Sequence, residues 1–438
     1  MQDEFFALAD FVKTQLRADE VFTCWFSGER SDFVRFNHGK VRQAGSVQQR
    51  HVNLRLIHNG RHASRSLTLV GSTDDFDHTK SALAELRNLL AHVSPDPYLL
   101  FATDVQSSEI KRRGSIPPSA QIVEEIVAQG KDHDLVGILA SGPMFRGFAN
   151  SLGQRNWHEV ENFNFDWSLY HQTDKAVKSS YAGFDWQPHQ FRDKMQSARA
   201  QLALLQRPSI SIEPGEYRAF FAPRAMDEII SMLAWGGLSA KARRTKQSPL
   251  IRMEQGVRLS DKVSLRENTI DATAPGFQSD GFIKPKRVNL SERGELRDPL
   301  VAPRTAKEYG LVCNGASGGE SPESIDLGEG SLATTDALMA LDRGLFINNL
   351  WYLNYSDRPA CRLTGMTRFA TFWVEDGKIV APVNVMRFDD TLYRMLGDNL
   401  LDLTQEQELM LDPSSYGARS TQSARLPGAL ISGLKFTL

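Results

Sequence analysis

Histidine is the residue to follow first in this 438-residue chain, since it serves both metal binding and acid–base catalysis. Ten histidines occur, and the last is His189, so the 249 residues after it contain none. His58 and His62 have the four-residue spacing that places two zinc ligands on one helix face. However, the turn-forming pair Asn59-Gly60 lies between them and predicts opposing hairpin strands. No self-contained histidine metal site is predicted.

Two serine motifs were tested against acyl-transfer chemistry. The segment GASGG at 315–319 fits Gly-x-Ser-x-Gly, but Ser321-Pro322 follows where the elbow motif requires a helix, and no histidine follows as triad partner. We therefore expect a flexible glycine loop. The segment Ser108–Lys111 fits Ser-x-x-Lys without the companion motifs of serine acylases, and it is predicted to be solvated surface.

The cysteines and the charge balance bear on compartment and partners. Cys24, Cys313 and Cys361 form no Cys-x-x-Cys pair, which favours a reducing cytoplasm and small buried thiols over a disulfide framework. The first 16 residues carry acids where a signal peptide needs positive charge, so a cytoplasmic location is expected.

The overall charge balance argues against two classes of partner. Lys and Arg number 51 and Asp and Glu 53, a net charge of −2, so neither a nucleic acid nor a membrane partner is expected. The basic runs at 241–246 and 284–287 lack interleaved aromatic residues, and they are interpreted as solvated loops or a patch steering a peptide carboxylate.

The first half alternates between helical and strand patterns. Apolar spacing predicts helices over 3–18, 73–92, 119–130 (with Ser119 as N-cap) and 188–206. Period-two patterns predict an antiparallel meander over 21–70, with turns at His38-Gly39 and Asn59-Gly60. Two short strands are expected around the Ser-Gly-Pro of 134–150, and further strands over 162–184.

The second half reads as strand-rich. A strand over 210–221, a helix over 223–242, a strand over 344–355, a hairpin around Asp376-Gly377 and a closing strand over 430–438 are predicted. The fold class is therefore α+β, with an N-terminal α/β domain (1–207) holding an antiparallel sheet with flanking helices. A C-terminal antiparallel β-rich, barrel-like domain (208–438) with a few helices follows.

Several segments in a shared order resemble the TldD/PmbA family, and within it the TldE (PmbA) branch. They include SDFVRFNHGKVRQ and DLVGILASGPMFRGFANSLGQRN in the first half, then AKEYGLVCNGASGG, GLFINNLWYL and LTGMTRFATFWVEDGKIVAPVNVMRFDD. The last segment resembles the family's Thr-Gly-x-(Ser/Thr)-Arg strand, Glu-x-Gly-x-Ile turn and Pro-Val strand. The resemblance implies two domains and pairing about a two-fold axis.

The resemblance also implies where a zinc site would lie. The zinc-bearing branch carries His-Glu-x-x-x-His on a helix that corresponds to AFFAPRAMDEIISMLAWGGLSAKA. Asp227 and Met232 then replace the two zinc histidines, and Glu228 keeps the position of the glutamate. A thioether is a poor zinc ligand. The resemblance therefore implies no metal or cofactor in this chain, no confident catalytic residue, and Glu228 as a capping or salt-bridging acid.

The implied function is that of a non-zinc subunit of a TldD/TldE-type metalloprotease. Such complexes act on unfolded or extended peptides, in peptide maturation or antitoxin degradation, and zinc would reside in a TldD-like partner. A non-catalytic homodimer that binds peptides or assembles other proteins is the alternative. A third hypothesis is an autonomous hydrolase with an unrecognised site, in which Asp227 and Cys361 would hold zinc.

Overall fold

A computed structural model describes residues 1–172 and 175–437. The first half is a seven-stranded sheet with four helices against it. The helices are α1 (Gln2–Gln15), α2 (Asp74–Leu90), α3 (Ser119–Gly130) and α4 (Pro188–Leu205). The strands are β1 (Val21–Asn37), β2 (Lys40–His58), β3 (Arg61–Thr68), β4 (Ser108–Arg112), β5 (Asp134–Asn150), β6 (Arg155–Gln172) and β7 (Lys175–Gly183).

The first sheet has the order β3-β2-β1-β5-β6-β4, with β7 also pairing with β6. All neighbours are antiparallel except β4 and β6. Both predicted turns of the meander are confirmed. His38 and Gly39 have φ of 49° and 67°, and Asn59 and Gly60 have φ of 51° and 71°, as a type I′ turn requires. The predicted helices correspond to α1–α4. Ser119 does not cap α3, because its hydroxyl donates to Asp32 instead.

The expected pair of short strands at 134–150 is wrong, since β5 is one strand of 17 residues. Gly142 makes this possible: its φ is 125°, and a Cβ there would lie 2.3 Å from the Arg30 carbonyl oxygen. A residue with a side chain would clash with β1, whereas glycine lets the strand continue.

Strict alternation gives the first sheet two different faces. The outer face carries apolar side chains, such as Leu54, Phe145 and Phe165, and is covered by α1 and α2 at one end and α3 and α4 at the other. The opposite face, here called the inner face, is turned toward the second half. On β6 it carries Asn156, His158, Asn162, Asn164 and Asp166, of which the first four are buried. A polar row is thus enclosed inside the molecule.

The second half is a thirteen-stranded branched sheet. Its strands are β8 (Gly215–Phe221), β9 (Leu265–Asn268), β10 (Arg287–Glu292), β11 (Glu295–Leu296), β12 (Ser324–Leu327), β13 (Gly344–Ile347), β14 (Leu350–Asp357), β15 (Arg362–Thr367), β16 (Thr371–Glu375), β17 (Lys378–Pro382), β18 (Arg387–Thr391), β19 (Leu400–Leu411) and β20 (Ser423–Phe436). Its helices are α5 (Pro223–Ser231), α6 (Ala240–Arg244), α7 (Ile251–Glu254), α8 (Pro303–Tyr309) and α9 (Ala337–Leu341).

The α+β class is confirmed, but the barrel-like detail is not. The main path runs β11-β10-β9-β12-β20-β8-β13-β16-β17, and its two ends do not pair with each other within residues 1–172 and 175–437. The pairs β12/β20 and β8/β13 are parallel. The Asp376-Gly377 hairpin is confirmed as β16 and β17. The expected strand over 344–355 is two strands, β13 and β14.

The predicted helix over 223–242 is wrong in length. It stops as α5 at Ser231, continues for one 3-10 turn over Met232–Ala234 and then breaks, because Gly236 takes a φ of +83°. The chain resumes as α6 at Ala240.

The proposed boundary at 207 stays a prediction. One hydrophobic cluster joins α4 and the first sheet to Ala370 and Phe372 of the second half. Among the described residues, no helix is both long and apolar enough to span a membrane.

Candidate functional site

Helix α5 presents three charged side chains along one face. Pro223 starts the helix at a position where its missing N–H costs nothing. Ala225, Met226, Ile229 and Ile230 are buried in the core of the second sheet. The remaining positions 224, 227 and 228 are three and four residues apart, so Arg224, Asp227 and Glu228 share the opposite face. The burial pattern of the helix therefore sets their direction.

This charged face meets the inner face of the first sheet. Arg224 Nη2 donates to Asp166 Oδ2 of β6 at 2.7 Å, and the two side chains are only 14 % and 18 % exposed. Lys178 of β7 lies on the same inner face, since Ser168 pairs with Lys178 two residues beyond Asp166. The Lys178 carbonyl accepts from Asn348 Nδ2 at 3.1 Å, which ties β7 to the second half. We call Asp166, Lys178, Arg224, Asp227 and Glu228 the charge cluster.

The pKa values in the charge cluster are shifted mainly by burial. Burial raises the pKa of Asp227, as does Asp412, while Arg224 and Lys178 oppose the rise. Burial and then Asp227 raise the pKa of Glu228. Burial and then Arg224 lower the pKa of the Lys178 ammonium. Each carboxylate and each cation of the charge cluster thus changes the pKa values of its neighbours.

Asp227 and Glu228 keep accessible oxygens. Across the described residues, neither carboxylate accepts a hydrogen bond or has a cation within the 4.0 Å of an ion pair. Glu228 is the sixth of nine helical residues, so it does not cap α5, and only its backbone carbonyl is bonded, by Ser231. The two acids are half-buried, on the helix face that lies toward Lys178 and Asp166 of the first sheet.

The donor set on α5 does not fit a zinc ion. Met232 is buried in the hydrophobic core, and its carbonyl accepts the Tyr355 hydroxyl at 2.7 Å. In residues 1–172 and 175–437, no group of three His, Cys, Asp or Glu side chains is arranged to hold a metal. Arg224 and Lys178 act electrostatically on both Asp227 and Glu228, so their positive charges would repel a dication bound beside these carboxylates.

The cysteines are separate from this cluster. Cys361 packs in the core of the second sheet, and burial raises the pKa of its thiol to about 12. Cys24 is equally buried, in the core under α1 and α2. Cys313 is half-buried and its thiol donates to the Val301 carbonyl at 3.5 Å.

The other sequence motifs are dispersed. His62 pairs with Asp96 at 3.2 Å, while His58 lies opposite Arg61 in the hairpin, so the two histidines do not converge. No helix follows Ser317 in the glycine loop, as expected, and Lys111 is a surface residue paired with Glu109. The run at 284–287 is not wholly solvated, because Lys284 is buried and pairs with Glu323 at 2.5 Å.

An unpaired strand edge lies beside α5. Strand β14 packs against α5 and is hydrogen-bonded to β15 alone among the described strands. Trp351 and Tyr352 on it are 43 % and 74 % exposed, and the Arg368 guanidinium lies 4.1 Å from the centre of the Trp351 ring. An exposed edge of this kind can accept an extended chain as an additional strand.

Comparison with known proteins places these observations in a family. Residues 214–438 match the model of the PmbA/TldA metallopeptidase C-terminal domain. No curated protein matches the chain. TldE from Thermococcus kodakarensis has a similar structure, with a TM-score of 0.80, 16 % identity, and coverage of 99 % of this chain and 100 % of that one.

Two further structures share the fold. A proposed modulator of a DNA gyrase from Thermotoga maritima has a TM-score of 0.77 at 14 % identity, covering 99 % of both chains. A proposed modulator of DNA gyrase from Bacteroides thetaiotaomicron has a TM-score of 0.74 at 15 % identity, covering 99 % of this chain and 98 % of that one. The likeness therefore extends over the whole chain, well beyond the matched C-terminal domain.

Proposed function

The chain belongs to the PmbA/TldD metallopeptidase family, and we propose that it is the TldE-like, zinc-free subunit of a peptidase whose TldD-like partner supplies the metal. The two subunits form a heterodimer, and the complex acts on unfolded or extended peptides in peptide maturation or antitoxin degradation. Zinc is the cofactor of the partner, not of this chain, and the complex works in the cytoplasm.

The charge cluster is the observation that carries this proposal. At the position where the zinc-bearing branch has two histidines, this chain has Asp227 and the core residue Met232. The positive charge beside the carboxylates comes from Arg224 and Lys178 of the protein itself. A helix neutralised in this way supports a role in shaping the peptide chamber, with no metal-dependent step assigned to this chain.

The edge of β14 supports an extended peptide as substrate. A bound peptide would pair its backbone with the free edge, while Trp351 and Tyr352 contact its side chains. The Tyr355 hydroxyl holds β14 against the end of α5 through Met232. Strand addition requires an unfolded segment, because a folded substrate has no free backbone to offer.

Reconstitution tests the proposal. The cognate chain that carries His-Glu-x-x-x-His is assayed on an unfolded peptide alone and with an equimolar amount of this chain. We expect at least a tenfold gain in kcat/KM and a heterodimer by sedimentation. No gain over the partner alone, or a homodimer of this chain that ignores the partner, would refute the proposal.

A matched pair of tyrosine variants localises the effect. Y352D places a charge on the exposed edge of β14, and Y416D does the same on the exposed loop between β19 and β20. We expect Y352D to raise the KM of the reconstituted enzyme about fivefold, equivalent to about 1 kcal/mol, and Y416D to leave it unchanged. Equal effects of the two variants would remove β14 from the peptide path.

A further inference from the structure

A second region of the inner face lines a partly open cavity of about 570 Å³, which we call the intersheet cavity. Trp25, Asn53 and Arg146 of the first sheet form its floor, and Phe277, Gln278 and Glu323 of the second half contribute to its roof. Its volume falls within the range of small-molecule sites, and its wall is polar and apolar in about equal parts. None of its lining residues belongs to the charge cluster.

Arg146 enters this cavity without a counter-ion. In the part of the chain that the structure describes, no carboxylate lies within 4.0 Å of its guanidinium, and its hydrogen bond goes to the carbonyl of Phe145 at 2.8 Å. The two acids that attract it are already engaged: Glu323 pairs with Lys284, and Glu29 accepts from Ser31 at 2.8 Å. Four of the five guanidinium N–H groups therefore have no hydrogen-bond partner among the described residues.

Apart from these two engaged acids, the groups around Arg146 add no negative charge. His158 lies directly across from it on β6, is 4 % exposed and bonds through Nε2 to the Thr273 carbonyl at 3.0 Å. Its Nδ1 is buried with no hydrogen-bond partner among the described residues. Lys284 and Arg112 add further positive potential at His158. A buried cation in such surroundings is costly unless an anion accompanies it.

The rest of the cavity indicates what carries the anion. The rings of Trp25 and Phe277 meet edge to face, with centroids 5.7 Å apart, and form an apolar wall. Asn53 and Gln278 add neutral amides. One guanidinium with amide neighbours matches the two coplanar oxygens of a carboxylate. Because Lys284 is already paired with Glu323, a ligand with a single negative charge balances the charge of Arg146.

We propose that the intersheet cavity is a binding site for a carboxylate attached to an apolar or aromatic group, and that Arg146 pairs with the carboxylate. The C-terminal end of a peptide and a free aromatic acid share this chemistry. The site goes beyond the proposed function and does not depend on it, since no partner subunit or metal takes part.

Calorimetric titration of the full chain tests the site with three probes: N-acetyl-alanyl-phenylalanine, its C-terminal amide, and phenylacetate. We expect the peptide acid to bind at least tenfold more tightly than its amide. Tighter binding of the peptide acid than of phenylacetate would indicate a peptide end as the natural source, and the reverse would indicate a free acid. Either order supports the site.

Three variants decide whether binding occurs in this cavity. R146Q should weaken binding of the acid at least tenfold, whereas R35Q, which removes an exposed cation from β1, should not. S279W keeps Arg146 but fills the cavity with a large side chain from an exposed position, so it should also abolish binding. This second variant keeps the test decisive if R146Q folds poorly. Equal affinity for acid and amide, or acid binding that survives both R146Q and S279W, would overturn the proposal.

Discussion

The inner face of the first sheet meets the second half in two regions that differ in whether their buried charges are paired. At the charge cluster, Arg224 closes on Asp166 at 2.7 Å, and carboxylates and cations from three elements compensate one another. At the intersheet cavity, Arg146 is left without an ion pair beside open space. Compensated charge holds the two halves together, whereas uncompensated charge beside a cavity is a property of a binding site.

The largest expected effect concerns His158, beside Arg146. Burial lowers the pKa of His158 to about 4 from its ordinary 6.5, so the folded state resists its protonation while the unfolded state accepts the proton. Stability should therefore fall by about 3 kcal/mol as the pH drops from 6.5 to 4. Urea unfolding of the wild type and H158Q across this range measures the difference. The variant should lack this component.

A control variant makes the pH result specific. H78Q, at an exposed position of α2, measures the general cost of exchanging histidine for glutamine and should follow the wild-type pH curve. If H158Q lost stability toward acid as steeply as the wild type, His158 would not be the group that titrates.

The next largest effect is expected for a substitution that breaks the ion pair of the charge cluster. R224M removes the partner of Asp166 and leaves a largely buried carboxylate unpaired, so we expect a loss of about 2 kcal/mol in the free energy of unfolding. R65M cuts the exposed pair with Glu85 and should cost less than about 0.5 kcal/mol. Chemical denaturation at pH 7 measures both. Equal losses would mean that the Arg224 pair is no more than a surface contact.

The same measurement on R146M should give the contrasting result. No ion pair is lost there, and a desolvated cation disappears, so the free energy of unfolding should stay within about 1 kcal/mol of wild type or rise. A loss as large as that of R224M would show that Arg146 is paired within the protein, and it would erase the distinction between the two regions.

The smallest effect is expected for E228Q. Burial holds the pKa of Glu228 above its ordinary value, so its contribution to stability is lost as the pH rises above that value. At pH 7 the glutamine variant should be as stable as the wild type, or more stable by under about 1 kcal/mol. Thermal unfolding at pH 5 and pH 7 checks the sign of the stability difference between E228Q and the wild type. A clear loss at pH 7 would identify a cation paired with the carboxylate.

Local patterns predicted most of the first half. Alternation and the Asn59-Gly60 pair located the hairpin, because turn chemistry and period are properties of neighbouring residues. The helix over 223–242 failed because apolar spacing carries on past Gly236, whose positive φ ends the helix. The single strand β5 was missed because the need for glycine at 142 comes from the Arg30 carbonyl across the sheet.

The sequence predicted only part of the candidate site. Asp227 and Glu228 were located through the resemblance, but Asp166 and Lys178 lie about 50 to 60 positions earlier and no motif links them to α5. The alternating polar residues 156–166 were a usable signal for a sheet with one polar face. Alternation of polar and apolar residues alone predicts that the polar face is exposed to solvent. Only the fold shows that the second half of the chain covers this face.

The zinc content of the purified proteins decides whether this chain is the zinc-free subunit that we propose. The purified chain, the proposed TldD-like partner and a mixture of the two are each equilibrated with zinc, dialysed and analysed by mass spectrometry for metal per chain. We expect under 0.1 zinc per copy of this chain, and one zinc per heterodimer that is unchanged in a D227A variant of this chain. One zinc per copy of the chain alone, lost in D227A, would contradict it.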